Sequence, residues 1–264
     1  MIRKSYVDGR WGQVHVREAG VADAPPVILL HQSPLSGAMF DPVMPLLAVA
    51  GLHAVAVDTA GFGMSDPPPG PVALQDHAEA LGLVLDALGA ASARIVGHHT
   101  GAAIGAAFAA RYPSRVERLI LNGVPLLTPE EVTYFRGFKF EPLLPEADGS
   151  HLLTAWNRRL AASAGWTDLD AMHKHCVEML RINRTYHWGF QAALAHDMAP
   201  DLAALTCPTL ILTNTGEDLY MASQRTHATR PDFFSFGALE GGTHDIVDEQ
   251  PEAWARAVAD FALG

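Results

Sequence analysis

Cysteine is nearly absent from this chain of 264 residues, and the two present, Cys176 and Cys207, have no metal-binding spacing. A reducing cytoplasm is therefore the expected compartment. Basic residues are also few: 18 Lys+Arg stand against 29 Asp+Glu, a formal charge of −11. A chain with that balance lacks the electrostatic footprint for a polyanion, so nucleic acid is not an expected partner. No run of about 18 apolar residues occurs, which argues against a membrane-spanning helix. The opening MIRKSYVDGRWG lacks the apolar stretch of a secretion signal, which again points to the cytoplasm.

What the chain does contain is ordinary globular material, 49% hydrophobic and 18% charged, enough for a substantial core. Short apolar runs recur at 27–31 (VILLH), 53–58 (HAVAVD), 93–98 (ARIVGH), 116–123 (VERLILNG) and 208–214 (PTLILTN). Continuous apolar runs suit strands covered on both faces, and the stretches between them are long enough for crossover helices. An α/β architecture with a mainly parallel sheet is expected. The opening YVDGRWGQVHVREAG alternates around Asp8-Gly9, as an antiparallel hairpin at one sheet edge would.

The strand rhythm stops over 129–206. That stretch reads as helices around 152–164, 169–183 and 188–197, and carries nine of the 21 aromatic residues in 78 positions. An inserted helical lid over a pocket is one reading, and a helical subdomain with its own small core is the other. The expected organisation is a core of 1–128 with 207–264, interrupted by a cap at 129–206.

The sharpest local feature is ARIVGHHTGAAIGAAFAARYP, in which a strand runs through a tight turn into a helix of small residues. Gly97 and Gly101 flank the turn, and His99 occupies its exposed centre, where a G-x-S-x-G elbow carries serine.

On these residues the chain resembles the α/β-hydrolase fold family, and three further motifs agree in order. LLHQSPLSGAMF resembles the family's oxyanion loop, with His31-Gln32 where His-Gly is usual. VDTAGFGMSDPP resembles its D-x-x-G-x-G-x-S turn, and GGTHDIVDEQPEAWARAVADFAL resembles the segment that supplies the catalytic histidine. The resemblance implies that His244 is the base, that Glu217 or Asp218 orients it, and that the main chain at Ser33 and Thr100 binds an oxyanion. His31 and Gln32 become candidate substrate contacts. No organic cofactor is implied, because GHHTGAAIG matches a dinucleotide fingerprint only loosely.

Histidine at the elbow leaves three chemistries open. His99 attacks a carbonyl and forms an acyl-imidazole, or it hydrogen-bonds substrate while His244 activates water, or the two imidazoles shuttle protons as in an isomerase, lyase or decarboxylase. A catalytically inactive ligand binder is the fourth reading. A metal site from His98, His99 and His244 ranks below these, since adjacent histidines on a turn are expected to diverge. The leading expectation is hydrolysis of a small carbonyl compound: an ester, a lactone or a C–C bond.

Within RINRTYHW, a continuous helix places Arg181, Arg184 and Trp188 on one face, a spacing able to hold an anionic substrate. A solvated basic face is the alternative reading. Trp156 is a further candidate for the pocket wall.

Overall fold

The computed structural model describes residues 1–24, 26–138, 140–163 and 165–264. Eight strands form one sheet: β1 (Arg3–Gly9), β2 (Gly12–Ala19), β3 (Pro26–Leu30), β4 (His53–Val57), β5 (Ala93–His98), β6 (Val116–Asn122), β7 (Thr209–Asn214) and β8 (Phe234–Leu239). Their spatial order is β1-β2-β4-β3-β5-β6-β7-β8. The first two strands pair antiparallel, β2 joins β4 antiparallel, and every pairing from β4 to β8 is parallel. The expected hairpin is present, but its turn lies at Arg10-Trp11, one step beyond Asp8-Gly9. Strand β8 is absent from the sequence reading because FSFGAL is half exposed at the sheet edge and lacks a continuous apolar run.

Eleven helices are described: α1 (Met44–Val49), α2 (Leu74–Ala87), α3 (Thr100–Arg111), α4 (Pro129–Arg136), α5 (Ser150–Ala162), α6 (Leu169–Arg181), α7 (His187–Ala195), α8 (Ala199–Ala204), α9 (Tyr220–Thr229), α10 (Ile246–Glu249) and α11 (Pro251–Leu263). Alternate residues of the central strands feed two cores. Ile28 and Leu30 of β3 pack with Leu81 and Leu85 of α2 and with Phe108 of α3. Val27 and Leu29 face the other way, onto Met44 and Leu47 of α1 and Trp254 and Val258 of α11. Both faces of each strand are thus buried, which is why these strands read as unbroken apolar runs.

Between β6 and β7 the described residues hold α4 to α8 and no strand. Three of these helices lie near the expected positions; Ala164, placed in the first of them by the sequence reading, is outside the described residues. The other two, α4 and α8, open with Pro at N1 or N2, and α4 also carries a capping box from Thr128 to Glu131. RINRTYHW is not one helix: α6 ends at Arg181, residues 182–186 form turns, and α7 starts at His187. The expected shared face of Arg181, Arg184 and Trp188 therefore does not exist.

Two glycines let α3 reach the sheet. A Cβ on Gly101 would meet the carbonyl oxygen of Leu30 at 2.1 Å, and one on Gly97 would meet that of Gly101 at 2.2 Å. Both obstacles are backbone, so neither can swing aside. Gly101→Ala is expected to destabilise the protein by about 1–3 kcal/mol, as overpacking does. In thermal denaturation this appears as a midpoint lowered by roughly 2–4 °C per kcal/mol. Gly70→Ala, where no atom lies within 4 Å of the new methyl, should leave the midpoint unchanged.

Candidate active site

The parallel strands β3 and β5 end side by side, and the loops leaving their carboxyl ends carry Ser33 and His99. In open α/β sheets this is where ligands bind. His99 is the only non-glycine among the described residues with positive φ (50°). That conformation is costly for an L-residue, of the order of 1–3 kcal/mol, and it persists only when the surroundings enforce it. Here His99 N–H donates to the Asn122 carbonyl at 2.8 Å, and the His99 carbonyl accepts from Ala102 and Ala103 of α3. The side chain is thereby pushed up from the turn into a cavity of about 580 Å³.

Its Nε2 lies 2.6 Å from Glu217 Oε2. Glu217 also accepts at Oε1 from the Thr213 hydroxyl (2.5 Å) and the Asn214 N–H (3.3 Å). Burial works against the charge of this carboxyl, but the hydrogen bond and charge of His99, together with Thr213, hold its pKa below the ordinary value. An ionised Glu217 only accepts, so His99 Nε2 carries the proton and Nδ1 keeps its lone pair. No described residue occupies that Nδ1. Asp218, the other candidate acid, is exposed at the cavity rim.

The acid was expected on His244 and stands on His99 instead. The reason is reach: an imidazole on the elbow extends far enough to meet a carboxylate that a serine hydroxyl could not contact. Gly123 makes the room, since a Cβ there would fall 2.2 Å from the His99 ring and 2.7 Å from Glu217 Oε2. His244 has a different partner. Its Nε2 lies 3.0 Å from Arg159 Nη2 and 3.5 Å from Asp245 Oδ2; a guanidinium can only donate, so Nε2 accepts from the nearer Arg159 and the proton sits on Nδ1. Burial, then the neighbouring Arg159 charge, put its pKa well below that of a free imidazole. It is a neutral hydrogen-bond donor at pH 7. Its ring centroid lies 6.1 Å from that of His99.

Arg159 belongs to α5 and is buried, and the same Nη2 donates to Ser163 and to Asp245. Asp245 further accepts from the Gln32 side chain at 3.2 Å, and Gln32 also donates to the His244 carbonyl. The helical insertion is therefore tied to the loop after β8 by a buried ion pair. His175 of α6 adds a second tie, Nε2 to Asp248 at 2.8 Å. Sequence reasoning missed Arg159, because the leucines of α5 (Leu152, Leu153, Leu160) are exposed and only Ala155 and Arg159 of that helix are buried, so its apolar pattern does not mark the buried face.

The remaining candidates divide. Ser33 and Thr100 both border the cavity, and Ser33 N–H makes only a long contact (3.4 Å) to the Thr100 hydroxyl. Gln32 borders it too. His31 does not: its Nε2 accepts from the Thr59 N–H and its Nδ1 donates to the Gln32 carbonyl, so the buried ring joins two loops. Trp156 packs into a small apolar cluster with Leu143 and Met179, and Trp188 lies away from the cavity. Arg181 and Arg184 are exposed and do not line it. The D-x-x-G-x-G-x-S turn is structural as well, Asp58 accepting from Gly37, Met64 and His15. His98 and His99 stack, with centroids 4.4 Å apart, rather than diverging. His98 is held between Asn122 Oδ1 (3.0 Å) and the His244 carbonyl (2.9 Å), which removes it from any ligand.

Buried histidines give the protein an acid weakness. Burial lowers His77 to about 4, and burial with the adjacent His99 lowers His98 to about 3. The unfolded chain protonates these rings from about pH 6.5, whereas the folded chain does not until far lower pH. The unfolded state thus binds more protons throughout that window, and stability falls as pH drops from 6.5 towards 4. His77 is remote from the cavity, so His77→Gln should lessen the loss between pH 7 and pH 4 by about 3 kcal/mol in denaturant titrations. An unchanged pH slope in that variant would remove His77 as a cause.

Comparison with known proteins places this geometry. The family described as alpha/beta hydrolase fold matches residues 25–171. The 2-(acetamidomethylene)succinate hydrolase of Mesorhizobium japonicum is 25% identical over 263 residues, covering 94% of this chain and 91% of that protein. Carboxylesterase YbfK of Bacillus subtilis is 26% identical over 98% of this chain and 87% of its own. Epoxide Hydrolase A of Mycobacterium thermoresistibile superposes with a TM-score of 0.81 at 21% identity, over 100% of this chain and 99% of that one. With its sheet order, its elbow and this match over more than half its length, the chain belongs to the α/β hydrolase fold family.

Proposed function

We propose that the protein is a hydrolase of small carbonyl compounds, esters or lactones among them, in which the His99–Glu217 pair is the general base. The observation that carries this reading is the 2.6 Å contact between His99 Nε2 and Glu217, which leaves Nδ1 without a partner among the described residues on a ring that borders the cavity. An imidazole whose far nitrogen donates to a carboxylate is oriented, held in one tautomer, and stabilised when it takes up a proton. Water held against Nδ1 would lose its proton to His99 as it attacks the carbonyl carbon.

The developing oxyanion needs donors. The Thr100 N–H opens α3 and the Ser33 N–H has only its long contact to Thr100, so both are available. His244 adds a third: its Nδ1–H is fixed by Arg159 and stays neutral, so it donates without titrating. A covalent acyl-imidazole on His99 is less well supported, because its hydrolysis calls for another base and His244 has its Nε2 occupied. The relatives named a hydrolase and a carboxylesterase support the reaction class.

The test is turnover of 4-nitrophenyl acetate and butyrate by the wild type and three variants. His99→Ala should abolish the enzymatic rate, and Glu217→Gln should lower kcat by about 10²- to 10⁴-fold, as loss of the orienting acid does in triads. His244→Ala should cost less, about 10- to 100-fold, since it removes one donor among three. A His244 variant as inactive as His99→Ala would overturn the assignment of the base. Deuterium exchange into substrate that is never hydrolysed would instead favour an isomerase or lyase.

A further inference from the structure

Arg158 and Arg159 are consecutive on α5 and both border the cavity, yet their electrostatic situations are opposite. Arg159 is neutralised by Asp245. Arg158 makes no ion pair with any described residue; its single polar contact is Nη1 to the Tyr186 hydroxyl at 2.6 Å. Glu141 lies beside Tyr186 but forms no ion pair with Arg158. Arg158 is exposed where it borders the cavity, so its guanidinium is open to a ligand arriving from solvent.

The wall next to it is apolar and aromatic. Phe140 and Phe190 stack with centroids 4.0 Å apart and planes 6° from parallel, and Phe135 and Phe138 continue the surface. Tyr186 joins the two regions, with its ring edge against Phe190 and its hydroxyl on Arg158. The contact to Tyr186 fixes one arm of the guanidinium and leaves the remaining N–H groups without acceptors among the described residues.

We infer that Arg158 and Tyr186 form a carboxylate subsite, and that the substrate is an anionic compound with an apolar body, its acid group on Arg158 and its body against the phenylalanine wall. This rests on the hydrolase reading above only for the position of the scissile bond. A planar fork with free donors matches a carboxylate in two parallel hydrogen bonds. The sequence offers an anionic substrate as one of two readings of Arg181 and Arg184; that substrate class is taken up here with a different arginine.

Binding is measured by calorimetry with 3-phenylpropanoate and its neutral twin 3-phenylpropanamide, which needs no turnover and so separates this inference from the catalytic one. The acid should bind about 10- to 100-fold more tightly than the amide. Arg158→Gln should erase that preference, Tyr186→Phe should reduce it, and Arg181→Gln, on an exposed arginine away from the cavity, should leave it intact. Equal affinity of acid and amide for the wild type, or a preference that survives Arg158→Gln, would overturn the subsite. In kinetics, the KM for 4-nitrophenyl hydrogen succinate should rise about tenfold in Arg158→Gln while that for 4-nitrophenyl butyrate keeps its value.

Discussion

The hydrogen bond between His99 and Glu217 organises everything around it. It needs an imidazole at the elbow, a carboxylate on a side chain long enough to come over the end of β7, and an absent side chain at residue 123. With Glu217 taken by His99, the His244 ring is fixed instead by Arg159 of the helical insertion, beside the Asp245 carboxylate 3.5 Å from its Nε2. The guanidinium in turn requires Asp245, because a buried cation without a counter-charge costs several kcal/mol. One contact at the elbow is therefore felt in α5, in the loop after β8 and in the turn after β6.

The sheet sits beneath this arrangement as a rigid support. Trp254 of α11 donates to Asn122 Oδ1 at 2.6 Å, the same oxygen that faces His98, and His98 in turn meets the His244 carbonyl. A buried polar line thus runs from the last helix through the ends of β6 and β5 to the loop bearing His244. Its members are buried or nearly so, and such networks specify one geometry because an unpaired member would be expensive.

Much of the fold was legible because the strands buried on both faces print continuous apolar runs, and the elbow prints its glycines. Strand β8 escaped because it is exposed at the sheet edge, and α4 because its signature is a capping box rather than an apolar stripe. The site was legible as a set of residues, since His99, His244, Glu217, Ser33 and Thr100 converge on one cavity. Their partnerships were not, because pairing depends on distances of an ångström or two that no spacing encodes. The arginines show the same limit: periodicity favoured Arg181 and Arg184, but a helix break at residues 182–186 removed their common face and left Arg158 and Arg159 at the cavity.

The Gly123 clearance has a consequence for anyone wishing to convert this site to a serine hydrolase. Serine at position 99 alone would leave a void between the elbow and Glu217, roughly where the imidazole had been, and His244 would still be clamped by Arg159 on the far side. Conversion demands that the guanidinium be released, the second imidazole be turned through to the acid and the vacated space be refilled, all together.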